Sequence, residues 1–291
     1  VSGGASATGI VQSSGAALIT DTSATVSGIN GDGNTFSISS GAANNILLEN
    51  GGTLTVLAGN SATNTHIVNQ GSAVVVAGAS ATATTVGNGG TLTVSSGGTA
   101  TNVTQQSGAA LITNTSATVT GTNTANGTTN AFSISNGVAQ GVFLEGGGSL
   151  SVLNGTTPSG TQIGNRGSAT VQGGGEADNT PVSNGGQLLV SSGGVADGAT
   201  VNNGGRLIVS GGGTAVNVTQ SAGAALITDT SATVSGSNAS GAFSIVSGQA
   251  QNVIVENGGQ LSVLAGDTAT QTTAGSGGLV IVSACGTTID T

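Results

Sequence analysis

This chain of 291 residues has very little with which to do acid–base, redox or metal chemistry. Its one cysteine, Cys285, rules out a disulfide within the chain, and its one histidine, His66, rules out a metal site built from histidines. The only cations among the side chains are Arg166 and Arg206, set against 11 carboxylates for a net charge of −9. That balance excludes nucleic-acid binding by phosphate neutralisation and binding to anionic lipid. Tryptophan, tyrosine and methionine are absent and only 4 phenylalanines are present, so few side chains could stack on a sugar or a base. No apolar run approaches the ~18 residues of a membrane span, and no signal peptide is visible. The HExxH, CxxC, GxSxG, P-loop and GGxGxD patterns do not occur. No catalytic residue, metal site or cofactor is therefore assigned.

What the chain does have is glycine, 54 residues of it, set among serine, threonine and asparagine in a phrase that keeps returning. It reads GGTLTVLAGNSATNTHIVNQ at 51–70, GSAVVVAGASATATTVGN at 71–88 and GGTLTVSSGGTATNVTQQS at 89–107. It returns through 147–222 and again at 258–276, with a period of 18 to 20 residues. A fixed period in this range marks a solenoid. Within each phrase the apolar residues alternate, as in Thr53-Leu54-Thr55-Val56, which is the period of a strand. Helices are excluded by the absent helical period and by so many glycines, each costing about 1 kcal/mol in a helix.

The predicted fold is all-β: a parallel β-helix with three short strands per coil, treated as a single domain over residues 1–291. About 14 or 15 coils stacked at roughly 4.8 Å would give a length of roughly 70 Å. Asn-Gly-Gly corners at 50–52, 88–90, 184–186, 203–205 and 257–259 fit this reading, because both residue types tolerate positive φ. Phosphate-binding loops would need a following helix, and none is signalled.

A longer period lies above the first. GAALITDTSATVSG occupies 15–28 and 223–236, and GAALITNTSATVTG occupies 108–121. The second interval exceeds the first by 22 residues, room for one more coil and a few loop residues. Each copy is followed by a polar stretch predicted to protrude as a loop, then by a core phenylalanine: Phe36, Phe132 or Phe243. Each block then carries a glutamate, Glu49, Glu145 or Glu256.

Other single residues carry weaker signals. Cys285, in LVIVSACG, reads as a small buried residue on a strand, with an intermolecular disulfide as the alternative. His66 reads as solvent-facing. Glu176, Asp178 and Asp197 could form the carboxylate pair of a polysaccharide-degrading β-helix. No Lys, Tyr or Trp is available beside them, and the segment abuts a Gly-Gly-Gly corner. Thr53-x-Thr55 and Thr91-x-Thr93 suggest an ice-binding ladder, but the other coils interrupt it with Gln, Leu, Arg and Ile.

The phrases GGTATNVTQQSGAALITNTSATVTG, AFSI…LENGGTLTVLAGNSATNT and GGTLTVSSGGTA resemble the passenger domains of self-associating autotransporter adhesins. These form the AIDA, antigen forty-three and TibA group of Gram-negative bacteria. The lack of tryptophan and of basic residues is more similar to TibA-like members. The resemblance implies a right-handed β-helix displayed on the cell surface, anchored to the outer membrane through a C-terminal barrel outside this sequence. It implies autoaggregation, biofilm formation and host-cell adhesion or invasion. The implied partners are the same chain on neighbouring cells, a host-cell surface and a heptosyltransferase that O-heptosylates serine. Serines beside Gly-Gly corners leave room for such a transferase, and Ser2, Ser96, Ser192, Ser210 and Ser276 are the candidates. The alternative is a passive β-helical stalk that holds a separate tip away from the membrane. The three repeated protrusions argue for more than a spacer.

Overall fold

In Thr53–Val56 the side chains of Leu54 and Val56 are buried and those of Thr53 and Thr55 are not, the alternation that a pleated strand imposes. The computed structural model describes residues 1–125 and 127–291; among these the regular structure is β-strand, with no helix. The fold is a parallel β-solenoid with about 15 turns along the chain. The chain divides into two compact units, Val1–Leu150 and Ser151–Thr291.

Both units are wound by one rule. A regular coil has three strands, such as Thr53–Val56, Ser61–Thr63 and His66–Ile67. The next coil opens with Ser72–Val75, parallel to Thr53–Val56 with Ser72 opposite Thr53. Thr91 stands opposite Ser72 in the coil after, so each step is 19 residues (72 − 53 = 91 − 72). In the second unit Ser168, Gln187, Arg206 and Ala225 align at the same spacing. Side chains therefore stack in columns: Leu54, Ala73, Leu92 and Leu111 in the first unit, Ala169, Leu188, Leu207 and Leu226 in the second. All eight are buried, and full burial of a leucine stabilises by roughly 1.5–3 kcal/mol.

The Gly-Gly corners divide two tasks. The first glycine takes the left-handed turn position, with φ of 70° at Gly89 and 75° at Gly185. The second lies where neighbouring coils come too close for a Cβ. One added to Gly186 would sit 2.6 Å from the Ile163 carbonyl oxygen, and one on Gly205 2.5 Å from that of Val182. The asparagines of these corners behave differently from expectation. Asn50 and Asn257 have positive φ, but Asn88, Asn184 and Asn203 do not. There glycine alone supplies the left-handed residue, and the Asn88 and Asn184 side chains lie over Gly108 and Gly204 of the next coil.

Three coils depart from the rule, and each is an antiparallel hairpin where the sequence predicts a loop. Thr25–Ile29 pairs with Thr35–Ser39, Thr118–Ala125 with Thr128–Ser135, and Thr233–Asn238 with Gly241–Val246. The first strand of each lies parallel on the coil before it. A bulge there brings Gly28, Gly121 and Gly236 against the carbonyl oxygens of Ile10, Val103 and Val218, leaving no space for a Cβ. This is why the phrase ends in glycine. Phe36, Phe132 and Phe243 stand on the returning strands and are buried, as expected. Three coil-opening strands, Thr53–Val56, Ser72–Val75 and Thr91–Val94, separate the first two copies of the phrase. Four separate the second and third: Ser149–Val152, Ser168–Val171, Gln187–Val190 and Arg206–Val209.

Both units bury threonines in their interior. Thr65, Thr84, Thr161, Thr180 and Thr272 are no more than 2% exposed, and their hydroxyls have no hydrogen-bond partner. Val103 occupies the same place one coil after Thr84, and Ala199 one coil after Thr180. A buried hydroxyl without a partner loses its hydration uncompensated. Thr84→Val and Thr180→Val are each expected to stabilise the chain by about 1 kcal/mol. Urea unfolding checks this, and a lowered midpoint in both variants would contradict it.

Candidate functional site: the hairpins and the turn serines

Each hairpin interrupts the ladder between coils, and polar side chains take up the backbone groups thereby orphaned. Gln12 Nε2 donates to the Ala16 and Leu47 carbonyls at 2.8 and 3.2 Å. Gln105 does the same to Ala109 and Phe143 at 3.1 and 3.0 Å, and Gln220 to Ala224 and Ile254 at 3.0 Å each. Glu49, Glu145 and Glu256 accept the N–H of Gly15, Gly108 and Gly223 through Oε1, each at 2.7 Å. Burial pushes the Glu145 carboxyl above the ordinary value of 4.5, outweighing the Gly108 N–H bond that favours the charge. Asn30, Asn123 and Asn238 donate from Nδ2 to the carbonyls of Asn45, Gly141 and Asn252 at 2.9, 2.8 and 2.8 Å. The glutamates stand out in the sequence. The glutamines carry an equal signal, three residues before each GAALIT glycine, that local reading overlooks.

The outer ends of the hairpins differ. The first turns through Asn30–Asn34, and its Asp32 Oδ2 lies 3.3 Å from His66 Nδ1. His66 is solvent-facing as predicted, with 41% of its side chain exposed. The third turns tightly at Ser240, whose N–H bonds Asn238 Oδ1 at 2.9 Å. In the second, residues 127–131 are exposed, and Asn126, which the sequence places at a loop tip, lies outside the described residues.

The five candidate serines hold three different places within their coils. Ser96 and Ser192 are exposed at turns, each followed by a glycine with φ near 73° or 74°. Ser210 is half-buried and one place earlier in its coil. Its N–H bonds the Val190 carbonyl as Ser191 bonds Val171, and Gly211 takes the place corresponding to Ser192. Ser2 holds the equivalent place in the first unit, because Gly3 and Gly211 meet equivalent neighbours: Ser23 and Asp21, or Ser231 and Asp229. Ser2 is nevertheless exposed. Ser276 is exposed at the other corner, its carbonyl accepting the Asn257 N–H at 2.8 Å.

Cys285 corrects the expectation of a buried strand residue. It is exposed, with φ of 65°, and its carbonyl accepts the Gly266 N–H at 3.0 Å. It occupies the left-handed turn place that glycine holds at 59, 78 and 97.

Asp178 stands opposite Asp197 in adjacent parallel coils, while Glu176 stands opposite Val195. Asn217 Nδ2 donates to Asp197 Oδ1 at 2.7 Å. Burial, and then the Asp197 charge, push the Asp178 carboxyl above its ordinary value. The two carboxyls lie side by side on one sheet face of adjacent coils. The outward threonine ladder is broken: Ser72 and Val74 separate Thr53 and Thr55 from Thr91 and Thr93.

The sequence model of one family, described as adhesin of bacterial autotransporter system, probable stalk (AIDA), matches residues 27–90, 126–176, 172–224 and 235–291. The probable autotransporter YpjA of Escherichia coli (strain K12) is 65% identical over 52 residues, which is 18% of this chain. That match spans only 3% of the relative's length. A crystal structure of a TibC-catalysed, hyperglycosylated TibA fragment aligns with 99% of this chain and 93% of its own. Its TM-score is 0.42 and its identity 27%.

Two carboxylates set opposite pH dependences. The raised pKa of Asp178 means the folded chain holds that proton more tightly than the unfolded chain. Its contribution to stability therefore grows as pH falls from neutral through the raised pKa, and levels off below 3.8. Asp21 is lowered by its bonds from the Ser23 hydroxyl and N–H; its contribution is present above 3.8 and is lost as pH falls through the lowered value. Asp178→Asn is expected to raise the urea midpoint at pH 7 and flatten its pH dependence above 3.8. A variant profile parallel to the wild type would show that Asp178 does not set that slope.

Proposed function

The chain belongs to the AIDA family of bacterial autotransporter adhesins, and on that premise we propose that it is a surface-displayed segment that binds copies of itself on neighbouring cells. The observation that carries this reading is the anchored hairpins, two in the first unit and one in the second, that interrupt otherwise regular coils. A wall of hydroxyl and amide groups makes contacts worth about 1 kcal/mol each, and multivalency makes many such contacts act together. Autoaggregation and biofilm formation follow from homotypic contact between cells. Adhesion to, or invasion of, a host cell would use the same displayed surface. Anchoring is through a C-terminal outer-membrane barrel.

Exposed turn serines are sites of O-heptosylation by a heptosyltransferase in this reading. Ser2, Ser96, Ser192 and Ser276 offer exposed positions, and half-buried Ser210 is the poorest acceptor of the five. The intact mass of the native protein, followed by site mapping, should find heptose on Ser96 and Ser192 ahead of Ser210. Heptose on Ser210 alone would reverse that ranking.

A second reading is favoured by the family's own description as a stalk and by the constant 19-residue step (91 − 72), which suits a spacer. The deciding experiment is the settling of cells that display this segment on an autotransporter barrel, against cells that display the barrel alone. Settling should be faster and should require the segment on both partners. Because each copy carries −9, raising salt from about 20 to about 200 mM should speed it by screening. Equal settling with confirmed display would favour the stalk. Slower settling in salt would contradict association opposed by charge.

A further inference from the structure

The hairpins share an anchor but differ in how their outer edges are closed. In the first, Asn45 Nδ2 donates to the Thr35 carbonyl at 3.0 Å, and in the third Asn252 Nδ2 donates to the Ala242 carbonyl at 2.8 Å. Both asparagines sit in the left-handed region, at φ 54° and 55°. Each therefore caps the first outward carbonyl of the returning strand. The corresponding residue of the second hairpin is Gly141, at φ 63°, which has no side chain to cap with. A Cβ there would sit 2.7 Å from the Ala131 carbonyl oxygen, too close to fit, so this hairpin has no room for the cap.

The second hairpin also has the longest open edge. Thr128–Ser135 pairs along one side with Thr118–Ala125. On the other side Val138–Gln140 covers only Ser133, Ile134 and Ser135. Among the described residues nothing pairs with Thr128–Ala131 on that side, and all four are exposed. With the Ala131 carbonyl directed outward like those of Thr35 and Ala242, antiparallel alternation directs the backbone groups of Thr129 outward too. Natural edges are usually blunted by charge, proline or a covering segment. Residues 118–140 contain no charged residue and no proline.

We propose that this edge, from Thr129 to Ala131, is where a second copy of the chain adds its own equivalent strand. The inference rests on the self-association reading and gives it a location. Two copies meeting antiparallel about Asn130 place Thr129 of each opposite Ala131 of the other, and both residues then exchange backbone hydrogen bonds. Charge allows a second copy here and nowhere opposes it along the edge. Each copy carries −9, yet the edge itself is neutral, so identical edges meet without like charges face to face. The contact is small, and its strength on a cell comes from the number of copies displayed.

The test is sedimentation equilibrium of the purified chain over a concentration series, beside two variants. Ala131→Pro removes the outward N–H of the edge and leaves the pairing with Thr118–Ala125 in place. Thr129→Lys puts a charge on the edge strand. Each is expected to weaken self-association about tenfold or more, with unchanged circular dichroism and melting. If both folded variants associate as tightly as the wild type, the edge assignment is overturned while homotypic binding stands elsewhere on the surface. If the wild type itself stays monomeric and its cells do not settle together, the self-association reading falls and the edge assignment with it.

Discussion

The parallel backbone ladder between coils governs the rest of this molecule. The N–H of Thr91 reaches the Gly71 carbonyl at 3.0 Å, and Gln187 reaches Gly167 at 3.1 Å, always across to the neighbouring coil. Because backbone groups must be paired and strands sit roughly 4.8 Å apart, every side chain lies over its counterpart. A column must then agree in size and polarity. This explains how a chain with 1% aromatic residues is able to build a core: small aliphatic residues stacked in register fill it. It also explains the second glycine of each corner, where the ladder brings a carbonyl oxygen to the place a Cβ would occupy.

A ladder this regular makes any interruption costly, and the hairpins are interruptions. Inserting two antiparallel strands separates Gly15, Gly108 and Gly223 from the partners that an ordinary next coil would bring. A buried backbone donor left unpaired costs roughly 1–3 kcal/mol. The same three side-chain types close each gap, with glutamate on the glycine N–H, glutamine on the flanking carbonyls and asparagine on the hairpin's return. In the first and third blocks Asn50 and Asn257 also take the glycine carbonyl, at 2.8 Å each. The second block has Gly146 where those asparagines stand, packed against the Gly108 carbonyl. The longer phrase recurs because the gap recurs and needs the same plugs.

Much of this was legible in the sequence, and the failures have a common cause. Strand alternation, the near-constant step and the buried phenylalanines follow from local patterns or from repetition, which residue letters carry directly. The local phrases around Ser210 and Cys285 mislead because register, not phrase, sets their places. Ser210 precedes Gly-Gly as Ser192 does, yet counting coils aligns it with Ser191. Cys285 follows an apolar run, yet counting places it over Gly266 at a turn. The protrusions read as loops because Asn, Gly and Thr dominate them, whereas pairing with the coil before them organises strands. The work of the glutamates was hidden for another reason: their partners are backbone amides, which no residue letter reports.

The division within each hairpin bears on recognition. The anchors are the same in all three, so stability places one demand on that part of the sequence. The outer ends are free of that demand, and they differ. One holds Asp32 beside His66, one turns at Ser240 under an asparagine cap, and one leaves Thr128–Ala131 bare. The surrounding wall offers no comparable distinction, since its outward residues are mostly small, uncharged and repeated. A surface of that kind supplies numerous weak contacts but no register, and two such walls could slide past each other with little change in energy. Features that occur once each and point outward from fixed anchors break that degeneracy. On the proposed self-association, the ladder that makes the coils uniform leaves the hairpin ends as the features able to set its register.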